Sequence, residues 1–175
     1  IGGRSAKVTG SATQWRGEYT VVSGQVLQGA VGISVTLQDL ASNAGAVVTA
    51  VTDKTTVTVD FVVPTLSRLH ISSSNAQGSR WANGGDTITA SITASEPIVS
   101  PNVTIAGQTA TVSGSGTSWT ATYTVNATQV TDGAASLAVA FEDLASNVGT
   151  TVRTTTDSSA VTFAAAYHPL HLVCP

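Results

Sequence analysis

Cysteine, methionine and charged residues are scarce in this sequence. Cys174 is the one cysteine among 175 residues and there is no methionine, so a disulfide within the chain is excluded. Charged residues make up 10% of the chain, the formal net charge is −3, and the seven Lys and Arg are scattered singly. Nucleic-acid binders carry a basic stripe, and polybasic segments bind acidic membrane surfaces. Because the sequence has neither feature, we expect no nucleic-acid partner.

Long apolar runs and catalytic motifs are missing as well. No run approaches the roughly 20 apolar residues that a membrane-spanning helix needs, so we expect no membrane insertion. A Gly-x-Ser-x-Gly nucleophile motif does not occur. The ten Asp and Glu residues are too dispersed to nominate a glycosidase pair. We therefore expect a protein that is not an enzyme and that requires no cofactor.

The residues that are abundant are typical of β-strands. Val, Ala and Ile are dispersed among Thr and Ser, a composition that favours strands. Apolar and polar residues alternate in many segments, as in half-buried strands. The predicted strands are residues 6–8, 15–23, 30–40, 46–50, 55–59, 65–73, 86–94, 102–105, 109–112, 118–125, 134–141, 149–155 and 160–163. Short strands separated by turn signals predict an all-β fold of antiparallel β-sandwiches.

An internal repeat organises these strands. The five residues Asp-Leu-Ala-Ser-Asn occur at 39–43 and again at 143–147, an offset of 104 residues (143 − 39). At the same offset Trp15 aligns with Trp119 and Tyr19 with Tyr123. Without a gap, 27 of the 59 pairs from residues 1/105 to 59/163 are identical. The chain is therefore interpreted as two copies of one unit.

The first copy is predicted to be incomplete. Ile1 aligns with Ile105, in the middle of the second copy, so residues 64–104 have no counterpart in the first. The predicted domains are a partial domain at 1–60, a linker at 61–64, a complete domain at 65–163 and a tail at 164–175. His171 and Cys174 in the tail have a spacing found in metal sites, but no second pair accompanies them.

Several motifs resemble those of the tandem bacterial Ig-like repeats of large surface proteins and adhesins. They are Val59-Asp60 followed after three residues by Pro64-Thr65-Leu66, Gly85-Asp86-Thr87-Ile88-Thr89 followed by Ala94-Ser95-Glu96-Pro97, Val103-Thr104-Ile105-Ala106-Gly107, and the two Asp-Leu-Ala-Ser-Asn turns. The resemblance covers residues 1–163. It departs from the family at Ser42 and Ser146, where Gly is more frequent, and at Ala164, which replaces the linker Asp. It implies tandem Ig-like sandwiches, an extracellular or bacterial cell-surface location, and a spacer or stalk role.

Four oxygen-bearing residues form a candidate metal site. In an Ig topology, the hairpin before the last strand, the loop after the second strand and the N-terminal linker meet at one pole. In the second copy these segments carry Asp143 with Asn147, Glu96 and Asp60. Carboxylate and amide oxygens suit Ca²⁺, which would stiffen a junction between domains. In the alternative interpretation, the Asp residues of both copies accept backbone N–H bonds within their own turns.

Trp81 is a candidate contact residue for a sugar or a protein, because it lies in a predicted polar loop at 74–85. Packing within that loop is the competing interpretation. If Trp81 does contact a ligand, the chain is a carbohydrate- or protein-binding Ig-like module.

The incomplete first copy also predicts a partner. A sandwich without its first strands exposes an apolar face and bare edges. We expect another copy of the chain or an adjacent Ig-like repeat to supply strands by β-augmentation or domain swapping. The tail, through residues 170–173, is a second candidate. The main functional prediction is a non-catalytic spacer of a bacterial surface adhesin, or a filament subunit assembled by strand exchange.

Overall fold

The computed structural model describes residues 1–163, which form β-strands and turns and no helix. The predicted all-β class is therefore confirmed. The chain divides into two compact units, one from Ile1 to Phe61 and one that begins at Val62. No part of the described chain forms a helix that could cross a membrane. The predicted tail at 164–175, with His171 and Cys174, lies outside the described residues.

Among residues 1–163, the first unit contains four short strands and the second contains ten. In the first unit these are β1 (Lys7–Ser11), β2 (Gln14–Glu18), β3 (Gly29–Ala30) and β4 (Thr58–Val59). In the second they are β5 (Leu66–Ser73), β6 (Trp81–Ala82), β7 (Thr87–Ala94), β8 (Asn102–Ile105), β9 (Gln108–Thr109), β10 (Thr111–Ser115), β11 (Ser118–Thr124), β12 (Gly133–Ala134), β13 (Leu137–Ala140) and β14 (Thr162–Phe163).

Three sheets make up the described part of the second unit. The largest is antiparallel, with strand order β10-β11-β7-β5. A second antiparallel sheet has the order β13-β8-β9. The third has the order β12-β14-β6, in which β14 and β6 pair in parallel. Antiparallel pairing therefore dominates, as the short spacing between strands predicts.

One hydrophobic core holds these sheets together. In β7 every second side chain is buried, and Ile88 and Ala90 have no exposed surface. That pattern follows from the two-residue period of a strand, which directs alternate side chains to one face. The core also takes Leu69 from β5, Ile105 from β8 and Val139 from β13. Residues from two sheets thus share one buried cluster.

The first unit has very little core. Its strands form two two-stranded sheets, β1-β2 and β3-β4. Among its residues only Val26 and Val59 are buried. Few apolar contacts compensate the conformational entropy that folding costs each residue, so the first unit alone has little to stabilise it.

Local geometry repeats between the units at the offset of 104 residues. Gly10 lies opposite Trp15 in the β1-β2 ladder, as Gly114 lies opposite Trp119 in the β10-β11 ladder. Left-handed φ angles recur in pairs: Gly3 and Gly107 (73° and 75°), Ser42 and Ser146 (68° and 66°), Lys54 and Ser158 (60° and 59°), Gly10 and Gly114 (143° and 133°). The sequence repeat is therefore a structural repeat.

Some predicted strands are shorter in the structure. Residues 30–40 were expected to form one strand, but only Gly29–Ala30 is a strand, and isolated bridges join Val35 to Val48 and Gln38 to Ala44. The equivalent part of the second unit does form β13, because it pairs with β8. No counterpart of β8 lies among the described residues of the first unit, so the same segment lacks a ladder partner there.

Gly114 allows the β10-β11 hairpin to close. Its φ is +133°, and a Cβ there would lie 2.4 Å from the Ser118 carbonyl oxygen and 2.8 Å from the Trp119 Cα. We expect Gly114→Ala to lower the free energy of unfolding by roughly 2–4 kcal/mol, since backbone strain and steric overlap add. Gly116→Ala is the control, with φ +60° and no atom within 4 Å, and costs about 1 kcal/mol. Urea denaturation of the full chain, followed through the second unit, measures both. Equal losses would contradict the steric argument.

Candidate functional site

Asp143 is the buried charged residue of the described chain, with 2% of its surface exposed. It begins the Asp-Leu-Ala-Ser-Asn turn that follows β13. Its Oδ1 accepts hydrogen bonds from the backbone N–H groups of Ala145 and Asn147, each at 2.8 Å. Its Oδ2 accepts one from Asn147 Nδ2 at 2.8 Å. Residues of its own turn therefore donate these three hydrogen bonds to the carboxylate.

The hydrogen bonds set the protonation state of this carboxylate. Desolvation is the largest single influence and pushes the pKa of Asp143 upward. The bonds from the Asn147 side chain, from the Asn147 and Ala145 backbone and from the Ser146 backbone act in the opposite direction and together outweigh it. The pKa of Asp143 consequently lies below its ordinary value of 3.8. Asp143 stays ionised although it is buried, because donors replace its lost hydration.

The equivalent turn in the first unit has the same internal geometry without the burial. Asp39 accepts bonds from the backbone of Ala41 (2.9 Å) and of Asn43 (2.8 Å) and from Asn43 Nδ2 (2.9 Å). The side-chain and backbone bonds from Asn43 lower the pKa of Asp39. Asp39 is exposed. The turn thus forms from local chemistry alone, as an Asx-type turn does, and this is the alternative that the sequence left open.

The structure brings a third predicted metal ligand, Glu96, close to the Asp143–Asn147 pair of the turn. Glu96 follows β7, and one of its carboxylate oxygens lies within 4.8 Å of one from Asp143. Asp60 belongs to the first unit, where its Oδ1 accepts a hydrogen bond from Gln28 Nε2 at 2.9 Å. Two carboxylates at this separation are compatible with a cation. A Ca²⁺ site therefore stays a prediction.

Trp81 lies on a strand, so the prediction that it belongs to a loop at 74–85 is wrong. It forms β6 with Ala82 and pairs in parallel with β14 through Thr162. The backbone explains the change, since the Thr162 N–H donates to the carbonyl of Arg80 at 2.8 Å. The indole-bearing residue keeps 48% of its surface exposed. Trp81 is therefore accessible to a ligand from solvent.

The structure also contains a hydrogen bond between two distant side chains that the sequence did not predict. His70 Nδ1 lies 2.6 Å from Asp157 Oδ2. His70 is on β5, and Asp157 is in the turn before β14, 87 residues later. Hydrogen bonds from the Ser159 side chain, from His70 and from the Ser159 backbone lower the pKa of Asp157 well below its usual range. Asp53 and Asp157 are equivalent in the repeat, so the sequence indicates a turn at Asp157. No local sequence pattern identifies His70 as its partner, because the two residues are 87 positions apart.

Comparison with known proteins identifies no relative: no family model, no curated protein and no solved structure matches the chain.

The His70–Asp157 pair predicts a pH dependence of stability. Because the pKa of Asp157 is lower in the folded chain than its ordinary value of 3.8, its ionised form contributes stability that is present above that value and lost as the pH falls below it. We expect Asp157→Asn to lower the thermal midpoint at neutral pH, and the difference from the parent chain to shrink on acidification. Thermal unfolding at several pH values measures this. Asp53→Asn is the control, since hydrogen bonds from Thr55 lower the pKa of Asp53 within its own turn and no histidine contributes. It therefore reports the pH dependence of the turn without His70. A difference that stays constant down to about pH 2 would argue against the pair.

The calcium prediction is checked by thermal unfolding after chelation and again after millimolar Ca²⁺ is added. A ligand that binds only the folded state stabilises that state by about 2.7 kcal/mol when its concentration is 100 times its Kd. Ca²⁺ bound at this site therefore raises the midpoint of thermal unfolding. Glu96→Gln should abolish that rise, whereas the exposed Glu18→Gln should keep it. No rise in the parent chain would remove the prediction.

Proposed function

We propose that the chain is a non-catalytic structural module, a spacer of tandem Ig-like β-sandwiches in an extracellular bacterial surface adhesin. One observation carries the proposal: residues 1–59 recur as residues 105–163 with the same ladder register and the same left-handed turns. Repetition of one folding unit lengthens a protein by a fixed step without new chemistry. The motifs that resemble bacterial Ig-like repeats support the same role.

The arrangement of the second unit supports the Ig-like interpretation. A four-stranded sheet, β10-β11-β7-β5, and a three-stranded sheet, β13-β8-β9, contribute to a shared core. Ile92 of β7 and Val103 of β8 are both buried in it. Two antiparallel sheets that bury their facing sides are the basis of a β-sandwich.

The disposition of charge favours a structural role. Asp143, buried and ionised, is engaged by the turn that contains it. The His70–Asp157 pair joins β5 to the turn before β14. Both interactions tie neighbouring segments of one unit together. Each therefore has a structural explanation that needs no substrate.

Assembly into a filament by strand exchange is the less favoured form of this proposal. Residues 64–104 contribute Leu69, Ile88 and Ile92 to the core of the second unit. If a copy donates this segment to a neighbour, it uncovers its own second unit. Release of the segment therefore exposes apolar surface in the donor, which opposes exchange. Adjacent Ig-like repeats are the favoured partners.

A carbohydrate- or protein-binding module is the second candidate function. The exposed indole of Trp81 favours it, since aromatic side chains with a polar group are enriched at interfaces. Single exposed apolar side chains are also common on protein surfaces. The spacer therefore remains the first choice, because the repeat that relates residues 1–59 to residues 105–163 supports it.

A spacer must keep its length under load, which single-molecule force extension of the full chain tests. We expect the second unit to rupture in one step. Its 99 residues (163 − 65 + 1) at about 3.3–3.6 Å each release about 300 Å once the folded length is subtracted. Gly114→Ala should lower the rupture force without changing the step. Extension without a discrete step, or in several short steps, would contradict a second unit that resists force as a whole.

A further inference from the structure

Asn83 is the one asparagine of the chain that precedes a glycine. The other asparagines, at positions 43, 75, 102, 126 and 147, precede alanine or valine. A glycine has no Cβ to hinder the approach of its backbone nitrogen to the preceding side chain. Asn83 and Gly84 are both exposed, in the turn between β6 and β7. At this point of the chain, an asparagine side chain is accessible to attack by the next backbone nitrogen.

The turn folds the Asn83 side chain back onto the following peptide bond. The Gly84 N–H donates a hydrogen bond to Asn83 Oδ1 at 2.8 Å. The Asn83 N–H donates to Asp86 Oδ2 at 2.7 Å, and the Asp86 N–H donates to the Asn83 carbonyl at 3.0 Å. The Gly85 N–H donates to the Val125 carbonyl at 2.9 Å. These bonds keep the Gly84 nitrogen and the Asn83 side-chain carbonyl in contact.

Two other asparagine turns of the same unit direct the side chain one residue further. Asn75 Oδ1 accepts a bond from the Gln77 N–H at 2.9 Å. Asn126 Oδ1 accepts one from the Thr128 N–H at 3.1 Å and another from Thr128 Oγ1 at 2.9 Å. These are Asx turns, in which the carbonyl bonds to the second residue after the asparagine. The side chain of Asn83 instead bonds to the first residue after it.

Packing explains why residue 84 is a glycine. A Cβ at this position would lie 3.0 Å from the Cβ of Ala127, which is closer than side chains normally pack. The next residue, Gly85, has a φ of +92°, a conformation that also favours glycine. The fold therefore requires the small residue that leaves the nitrogen of residue 84 accessible.

We infer that Asn83 is a site of spontaneous covalent modification, in which the Gly84 nitrogen attacks the Asn83 side-chain carbonyl and water completes the conversion to aspartate and isoaspartate. In the first step the Gly84 N–H gives its proton to hydroxide, and the nitrogen forms a bond to Asn83 Cγ. The Cγ–Nδ2 bond then breaks, and Nδ2 leaves as ammonia after it takes a proton from water. The product is a cyclic imide that joins the two residues.

Water then opens the imide at one of its two carbonyl carbons. Addition at Cγ gives aspartate, whereas addition at the main-chain carbonyl carbon of residue 83 gives isoaspartate, in which the backbone runs through the side chain. Either route consumes one water and releases one ammonia overall, so no oxidant or cofactor takes part. A carboxylate replaces the side-chain amide at a position close to the exposed Trp81. The inference does not depend on the spacer role.

The turn favours the first step because it holds the reacting atoms together. Orientation that is provided in advance accelerates intramolecular reactions, whereas an unfolded chain samples many other arrangements. The new carboxylate also lies in a turn that already contains the carboxylate of Asp86, and like charges at short range repel. Modification is therefore expected to loosen the turn beside β6, which pairs with β14 through Trp81 and Ala82.

An added Asn-Gly pair gives a matched control within the same chain. Ala127→Gly places a glycine after Asn126, in an exposed turn whose side-chain oxygen bonds to Thr128. We expect Asn83 of the folded full chain, at mildly alkaline pH, to convert roughly tenfold or more faster than Asn126. In concentrated urea the two sites should convert within about a factor of two of each other, because neither is held. Peptide mapping by mass spectrometry, with isoaspartate resolved from aspartate, measures both rates.

Equal rates at Asn83 and Asn126 in the folded variant would overturn the inference, and so would a ratio that urea leaves unchanged. The parent chain gives a measurement that does not depend on how the variant folds. There Asn83 should convert at least as fast in the folded chain as in urea. Slower conversion in the folded chain would show that the turn protects the side chain instead of orienting it.

Asp86→Ala tests the orientation directly, because it removes the carboxylate that binds the Asn83 N–H. Loss of this negative charge alone would ease deprotonation of the Gly84 nitrogen and speed the reaction. Slower conversion therefore reports lost orientation, and faster conversion contradicts the inference. Asp132→Ala removes an exposed carboxylate before β12 and should leave the rate unchanged. Equal slowing in both variants would also count against the inference.

Discussion

The structure depends on the packing of β5 and β7 over the apolar face of the remaining strands. Where these two strands are present, Val139 and Val161 are buried and one core includes residues from several sheets. Where they are missing, the same residue types at Val35 and Val57 remain exposed. Hydrophobic stabilisation scales with the apolar area removed from water, so the two units share a local structure but differ in what stabilises them.

Turns behave differently, because their stability is local. The Asp39 and Asp143 turns have equivalent hydrogen bonds within about 0.1 Å. Only their surroundings differ. A carboxylate that accepts several N–H bonds from its own turn can be buried with little further cost, because the donors replace its hydration. The same turn can therefore lie exposed, as at Asp39, or buried, as at Asp143 in the second unit.

A repeated unit with locally determined turns and a core supplied by a particular pair of strands suits a modular spacer. Each unit has to complete its own core. In the second unit, residues of β5 and β7 do so together with residues of β8 and β13.

The sequence by itself determined the all-β class, the repeat at 104 residues, the alternation of β7 and the hydrogen bonding of the Asp-Leu-Ala-Ser-Asn turns. All of these depend on residues that are close in sequence or on direct identity between two segments. Only the tertiary structure decided that the strand predicted at 30–40 has no full ladder, that Trp81 is on a strand, that Asp143 is buried while Asp39 is exposed, and that His70 meets Asp157. Those properties depend on strand pairing and burial between residues far apart in the chain, and the local pattern of a sequence does not specify which distant segment will cover it.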